Sequence, residues 1–580
     1  MATSSQSPDP RRAWNLGNTT VRSPVRIRNG LIALSGSLLE GDLEGRPREQ
    51  AFARLLDVAG VAKVLRLREG EEIAEEVDAS DLGRKWRSSM TQLGFITPRQ
   101  DVLAAVDSDR LPFTITEAGQ RLIAAETVVG QQECFLRALL AHQIPSPIEP
   151  FPEPVFCPLR IVLEILGGLA RAGLDAHIHK DEMAVIVQLV RRVEDMPDAV
   201  QQIADYRAAL GAQTTGADKK RFRRKYREGA RTQTQSGNTL KDYADSNFRY
   251  LKATGLFVDR GSRIEVAEYQ RTTVRQILAV PYAPIPLHDY PEFLWHGAAL
   301  PTDRPAEATE AIRSLVDLLQ DAGETVEVPD LASLNIRDLS QVRLALRDDY
   351  TRVLEAQYAD RQVREIADIL DYLRALTQRR NQLIPSDEAP AYLEWALWRA
   401  FLAIDSLLNP AWKARRFQID PTDFTPVGTA PGGGPDMIFE FDDCVIVGEV
   451  TLTVSSRQEA AEGEPVRRHV GDLALQYQKP VYGLFIANVI DTNTAETFRR
   501  GTWFTKADDL LDLRIVPLTL AQFIDLFAVL FGRDGRAPSR IVRAILDDCI
   551  ARKHDDARVW KLNIAQSVAS HVGRLGRDTA

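Results

Sequence analysis

Asp436 and Glu449 are the two carboxylates whose spacing most directly suggests chemistry. They belong to two β-type runs, Pro435-Asp436-Met437-Ile438-Phe439-Glu440-Phe441 and Cys444-Val445-Ile446-Val447-Gly448-Glu449-Val450-Thr451, which flank Asp442-Asp443 and read as a hairpin. With the two aspartates as a two-residue loop, Phe441 opposes Cys444, and counting outward sets Asp436 opposite Glu449. Directly opposed residues hold their Cβ atoms about 4.5–5.5 Å apart. Two carboxylates that close repel unless they share a cation, so the spacing predicts a metal site. The inference depends on the turn, because a loop longer or shorter by one residue moves the register.

Glu394 lies upstream among large apolar neighbours in the helical stretch 392–401; taken alone, such a glutamate reads as a surface or capping residue. Downstream, Glu462-Gly463-Glu464-Pro465-Val466-Arg467-Arg468-His469 adds carboxylates, two guanidiniums and an imidazole. A carboxylate set without a cluster of His or Cys suits hard Mg2+ rather than zinc. Gly432-Gly433-Gly434 lacks a following Gly-Lys-Ser/Thr, so neither ATP nor another nucleotide cofactor is expected, and a loop entering the strand is the simpler reading. His177 and His179 have no third ligand nearby, and Cys444 reads as a small buried residue.

The elements that position these residues divide the chain by composition. Proline at 385 and 390 opens a C-terminal α/β domain, 387–580. Before it, 286–386 alternates charges with Leu, Ile and Val at helical spacing and reads as a helical linker domain. The N-terminal half reads as two winged-helix-like modules, 1–148 and 149–285. In the first, Leu93-Gly94 ends a helix and Thr116 is the expected N-cap of the next. In the second, Thr254-Gly255 leads into a wing at Leu256-Phe257-Val258, Arg260-Gly261 and 263–266.

Basic residues gather in this half although the chain is acidic. Lys219, Lys220, Arg221, Arg223, Arg224, Lys225, Arg227 and Arg231 face one acid, Glu228, with Phe222 and Tyr226 interleaved, a composition suited to a phosphate backbone. Residues 1–10 are expected to be loose, and 11–28, with Arg22 and Arg26, reads as a basic arm; Arg249 is a further expected DNA contact.

The whole has 580 residues, net charge −9, 44% hydrophobic and 26% charged residues, which excludes a mainly disordered, collagen-like or mucin-like chain. Four scattered cysteines exclude a disulfide framework and a Cys-rich zinc module. No long apolar run suggests a membrane span, and the opening MATSSQSPDPRRAW lacks the apolar core of a secretory signal, so a cytoplasmic protein is expected.

A helix Glu, Pro-Asp, twelve residues and a strand-ending Glu form the pattern of the PD-(D/E)xK nuclease superfamily. The fuller set Leu393-Glu394-Trp395, Gly434-Pro435-Asp436-Met437, Val447-Gly448-Glu449-Val450-Thr451, Glu464-Pro465-Val466-Arg467-Arg468-His469 and Leu484-Phe485-Ile486-Ala487 resembles the AlwI family of type IIS restriction endonucleases, which includes site-specific nicking enzymes. Phe248-Arg249-Tyr250, Thr254-Gly255-Leu256-Phe257-Val258 and Ile115-Thr116-Glu117-Ala118-Gly119 extend the resemblance into the N-terminal half. It implies a catalytic set of Glu394, Asp436, Glu449 and Glu464 with His469 nearby. Asp436 and Glu449, supported by Glu394, would hold one or two Mg2+ ions. It also implies double-stranded DNA as partner and cleavage a few nucleotides outside a short asymmetric site. Thr451 stands where the superfamily usually has a catalytic Lys, which leaves Glu464, His469 or a second metal to position water. A strand-specific nicking subunit needing a small partner, a transient homodimer, and a non-cleaving DNA-binding regulator are the alternatives.

Overall fold

The computed structural model describes residues 12–62, 64, 78–231, 235–259, 262–378, 383–384, 388–430, 433–453, 457–505, 507–531 and 537–577. Residues 1–10, the wing tip Arg260-Gly261 and Gly432 lie outside the described residues. The chain is mixed α/β, mostly helical with small sheets, and forms two compact units, Met1–Tyr350 with Pro421–Asp423 and Thr351–Asp420 with Phe424–Ala580. The boundary falls inside the 26-residue helix Ile336–Arg361, so the stretch 286–386 expected as a linker contributes to both units.

The second unit is organised by a four-stranded sheet. Met437–Glu440 pairs antiparallel with Val445–Thr451, which runs parallel to Val481–Ala487, which runs parallel to Arg514–Thr519. The two central strands are nearly continuous apolar runs because both faces are covered; the antiparallel edge strand alternates buried and half-buried residues. Parallel neighbours need a crossover, which the helix Arg457–Gln476 provides between Val445–Thr451 and Val481–Ala487.

The helix Ala389–Leu402 is apolar nearly all round and buried from Ala391 to Leu402, as a central helix must be. It packs on the sheet through Phe401, whose ring stacks on Phe439 with centroids 4.3 Å apart. Its buried Arg399 is held by Gln362, Glu365 and Asp368, so the charge is fully partnered.

In the first unit, Ser80–Gln92 ends at Gly94, whose φ of +73° is the left-handed cap that glycine adopts without strain. Thr116 caps Glu117–Ala124 by accepting from the Gly119 N–H, as its position in the sequence predicts. Between them a single antiparallel bridge joins Ile96 to Ile115. The helix Gly237–Ala253 leads through Gly255 into the antiparallel pair Phe257–Asp259 and Arg263–Val266, and His177–His179 adds a third strand.

Arg11 also lies outside the described residues, and the rest of the arm expected at 11–28 differs from expectation. Trp14 and Leu16 are buried, the Leu16 N–H donates to Asn247 Oδ1, and Pro24–Arg26 and Ile27–Leu34 are helical. Its apolar residues at 14, 16, 21 and 27 carry it into the core, where the arginines alone suggested a basic arm. Among the described residues no helix is long and apolar enough to cross a membrane.

Candidate active site

The hairpin turns as its sequence requires. The Phe441 N–H donates to the Cys444 carbonyl across Asp442-Asp443, and Met437 pairs with Gly448, Ile438 with Val447 and Phe439 with Ile446. One pair further out, Asp436 and Glu449 interlock. The Val450 N–H donates to Asp436 Oδ2 at 2.9 Å, and the Asp436 N–H bonds to the Glu449 carboxylate. Each acid is thus fixed by backbone from the other strand, which is how an edge pair acquires a defined orientation.

Two helices complete the cluster. Ala389–Leu402 contributes Glu394, only 5% exposed, whose Oε2 accepts from the Ala430 N–H at 2.7 Å. Arg457–Gln476 contributes His469, whose Nδ1 is hydrogen-bonded to Glu449 Oε1 at 2.6 Å while its buried Nε2 has no partner among the described residues. The same helix contributes Glu462, hydrogen-bonded to Thr451.

Burial and mutual repulsion set the electrostatics. Burial, with Asp436 beside it, pushes Glu394 up to about 9. Burial and then Glu449 push Asp436 up to about 7; burial and then Glu462 push Glu449 up to about 8. Burial raises Glu462 as well, and lowers the His469 imidazole, with Arg468 adding to the effect. Like charges in a poorly solvated place disfavour joint ionisation, and either protons or a cation relieve them.

Glu464 is not part of this cluster. It is exposed and pairs with Arg468, one turn along its own helix, at 3.1 Å. Glu462 and His469 are seven residues apart, two helical turns, and share a face, whereas Glu464 is five from His469 and about 140° round the helix. That spacing is readable in the sequence, but Glu464 stands out there by its closeness to Pro465-Val466-Arg467-Arg468-His469. Arg467 donates to the Gly463 and Thr502 carbonyls.

Among the described residues no group of three or more His, Cys, Asp or Glu closes on one point as a formed ligand set. The donor chemistry nonetheless fits a hard divalent ion, since Mg2+ is typically held by one or two carboxylates with water and substrate phosphate completing its shell. Asp436 and Glu449 match that requirement, with Glu394 as a third acid that both repel.

The expected DNA contacts are distributed differently from the acids. The helix Gly216–Gly229 buries none of its residues completely and carries Lys219, Lys220, Arg221, Arg223, Arg224, Lys225 and Arg227. Arg223 and Arg227 pair with Asp181, Arg221 with Asp218 and Arg224 with Glu228. Phe222 and Tyr226 pack on Tyr206 of Met196–Gly211, with centroids 5.4 and 4.9 Å away, so these rings anchor the helix. Arg249 donates to the Val21 and Thr19 carbonyls and pairs with Asp245; Arg26 donates to the Val61 carbonyl; Arg22 lies 3.9 Å from Asp245. Arg249 and Arg26 hold backbone within the unit.

A family model described as AlwI restriction endonuclease matches residues 91–526, more than half of the chain. Among solved structures, the chain is similar to the small subunit (R.BspD6I2) of the heterodimeric restriction endonuclease R.BspD6I, at 27% identity over 34% of this chain and 98% of that chain, with a TM-score of 0.29. No curated protein matches.

Proposed function

Because the chain belongs to the AlwI restriction endonuclease family, we propose that Asp436, Glu449, Glu394 and Glu462 with His469 form the active site of a Mg2+-dependent, type IIS DNA endonuclease. In this reading Thr351–Asp420 with Phe424–Ala580 is a PD-(D/E)xK-type nuclease unit, and the N-terminal modules are winged-helix-like readers of a short duplex site. The observation that carries it is the buried acid cluster: three carboxylates pushed up to about 7, 8 and 9 in a fold that fixes them by backbone hydrogen bonds. A nuclease fold without metal chemistry gains nothing from such repulsion.

Mg2+ bound at Asp436 and Glu449 would offset the charge of the scissile phosphate and lower the pKa of a nearby water. The chain's own residues do the rest. Asp436 and Glu449 present fixed oxygens, and the ionised Glu449 accepts the Nδ1–H of His469, which holds the imidazole tautomer. Glu462, with its raised affinity for a proton, takes the proton of the attacking water. A bond forms from that water's oxygen to phosphorus while the bond to the leaving sugar oxygen breaks. The electron pair stays on the sugar oxygen, which bulk water protonates. Reading and cutting on separate parts of the chain would place the cut at an offset from the bases read.

A second reading, strand-specific nicking, is favoured by the presence of one such acid cluster among the described residues, since the two strands of a duplex run in opposite directions. A transient homodimer or a small second nuclease subunit would then cut the other strand. Incubation of the protein with supercoiled plasmid and Mg2+, with EDTA and Glu449→Ala controls, followed by run-off sequencing of both strands, tests both readings. Linear products with defined ends support the endonuclease, relaxed circles broken on one strand support the nickase, and plasmid left intact under every condition refutes both.

A further inference from the structure

Arg415 and Arg416 follow the short helix Ala411–Ala414 and run antiparallel to the strand beside Asp436. Arg415 bridges to Met437, and the Arg416 N–H donates to the Asp436 carbonyl at 3.1 Å. Successive side chains of an extended segment point to opposite sides, and these two arginines meet opposite environments. Arg415 is closed off: Nε and Nη2 each donate to the buried Glu355 carboxylate at 2.8 Å, and Nη1 donates to the Phe417 carbonyl.

Arg416 is half-buried and makes one side-chain hydrogen bond, from Nη1 to the Pro435 carbonyl at 3.2 Å, with no ion pair among the described residues. A guanidinium has five N–H donors, so most of its capacity is open. Its position depends on Gly434, where an added Cβ would stand 2.1 Å from Nη1. Its charge nevertheless reaches the acids, lowering the Glu449 carboxyl and the His469 imidazole.

We propose that Arg416 binds the scissile phosphate and supplies, from a neighbouring segment, the positive charge that a lysine at position 451 would have provided. The proposal rests on the nuclease reading above. As the attacking oxygen bonds to phosphorus and the bond to the sugar oxygen breaks, negative charge grows on the non-bridging oxygens. A planar guanidinium donating to two of them stabilises that charge while keeping its own protons. Arg416 is suited to this because its partner Pro435 is a carbonyl and not a carboxylate, so no acid competes with the phosphate.

Single-turnover cleavage by the full chain, with DNA binding measured in EDTA, tests it. Arg416→Ala is expected to slow cleavage by about a hundredfold to a thousandfold, the range for losing one preorganised charge-stabilising donor, with DNA affinity little changed. Added guanidinium ion should restore part of the rate, and Arg416→Lys should fall between, since a point charge replaces a fork. Gly434→Ala offers a route that leaves Arg416 in the sequence. Its Cβ displaces the guanidinium, so cleavage slows, and Arg416→Ala/Gly434→Ala is no slower than Arg416→Ala alone. A wild-type rate in Arg416→Ala overturns the proposal. So does a slow variant with a lowered Tm and no response to guanidinium, the pattern of a residue that only offsets acidic charge. Wild-type protein that never cleaves overturns the nuclease reading itself and this proposal with it.

Discussion

The acid cluster and the basic helix Gly216–Gly229 are both concentrations of one sign of charge, and their surroundings make them different devices. The four acids sit between a sheet edge and two helices. Two are almost fully buried, and each is pushed toward its protonated form. The basic helix lies in solvent, and four of its arginines already have acidic partners within 4 Å. Like charge that is buried stores repulsion that a specific ligand relieves, whereas like charge in water is screened and acts on partners only by mass effect. Charge density alone therefore does not mark a site; the withdrawal of water from it does.

Removing an acid breaks the comparison most severely. Asp436→Ala or Glu449→Ala should take plasmid cleavage to background while a gel-shift measurement finds DNA still bound; cleavage persisting in the double variant would sink the site. Next in size, Glu462→Gln should remove most activity, whereas Glu464→Gln, on the exposed side of the same helix, should cleave normally and stay within about 0.5 kcal/mol of wild-type stability. Equal rates in these two variants would reverse the assignment made from helical facing.

A third effect appears without any divalent cation. The folded acids bind protons more tightly than their ordinary values of 3.8 and 4.5, with Asp436 at about 7 and Glu449 at about 8. Between those limits the folded chain carries more protons than the unfolded one, so stability is full below about pH 4 from these groups and declines as pH rises through 7 to 8. Thermal melts in EDTA should therefore show Tm falling from pH 5 to pH 9, with Mg2+ flattening the slope. Asp436→Asn, which keeps an oxygen for the Val450 N–H, should raise Tm at pH 8 in EDTA. A flat profile would mean that neither burial nor mutual repulsion raises the proton affinity of these acids.

The smallest effect belongs to the basic helix. Replacing Lys219, Lys220 and Lys225, which form no ion pair among the described residues, with Gln should lower the slope of log affinity against log salt by about 0.9 for each phosphate that is no longer neutralised. Arg249→Gln should lower Tm and leave that slope alone, because its guanidinium holds the Val21 and Thr19 carbonyls.

Much of the second unit was legible in the chain. A two-residue turn of aspartates and alternating apolar runs fix a hairpin register, because a slip of one residue would turn every side chain to the wrong face. The paired positions 437 with 448 and 439 with 446 follow from that alone. Thr116 as a cap and the helical spacing within 286–386 are likewise local: Pro305–Asp321, Ile336–Arg361 and Ile366–Leu376 are all helices.

The choice between Glu462 and Glu464 was not local. Both lie in one short stretch of charges, and only the packing of Arg457–Gln476 against the strand Val445–Thr451 decides which face meets Asp436 and Glu449. The same holds for Phe222 and Tyr226, which composition offered to nucleic acid and Tyr206 claims, and for Arg249, drawn inward by backbone carbonyls from residues far away in the chain. Sequence by itself determined the elements, the hairpin register and the carboxylates available to a site, because those follow from short-range sterics and the alternation of apolar residues. Tertiary structure decided which charges lose their water, because desolvation depends on every neighbour that the fold brings within a few ångströms.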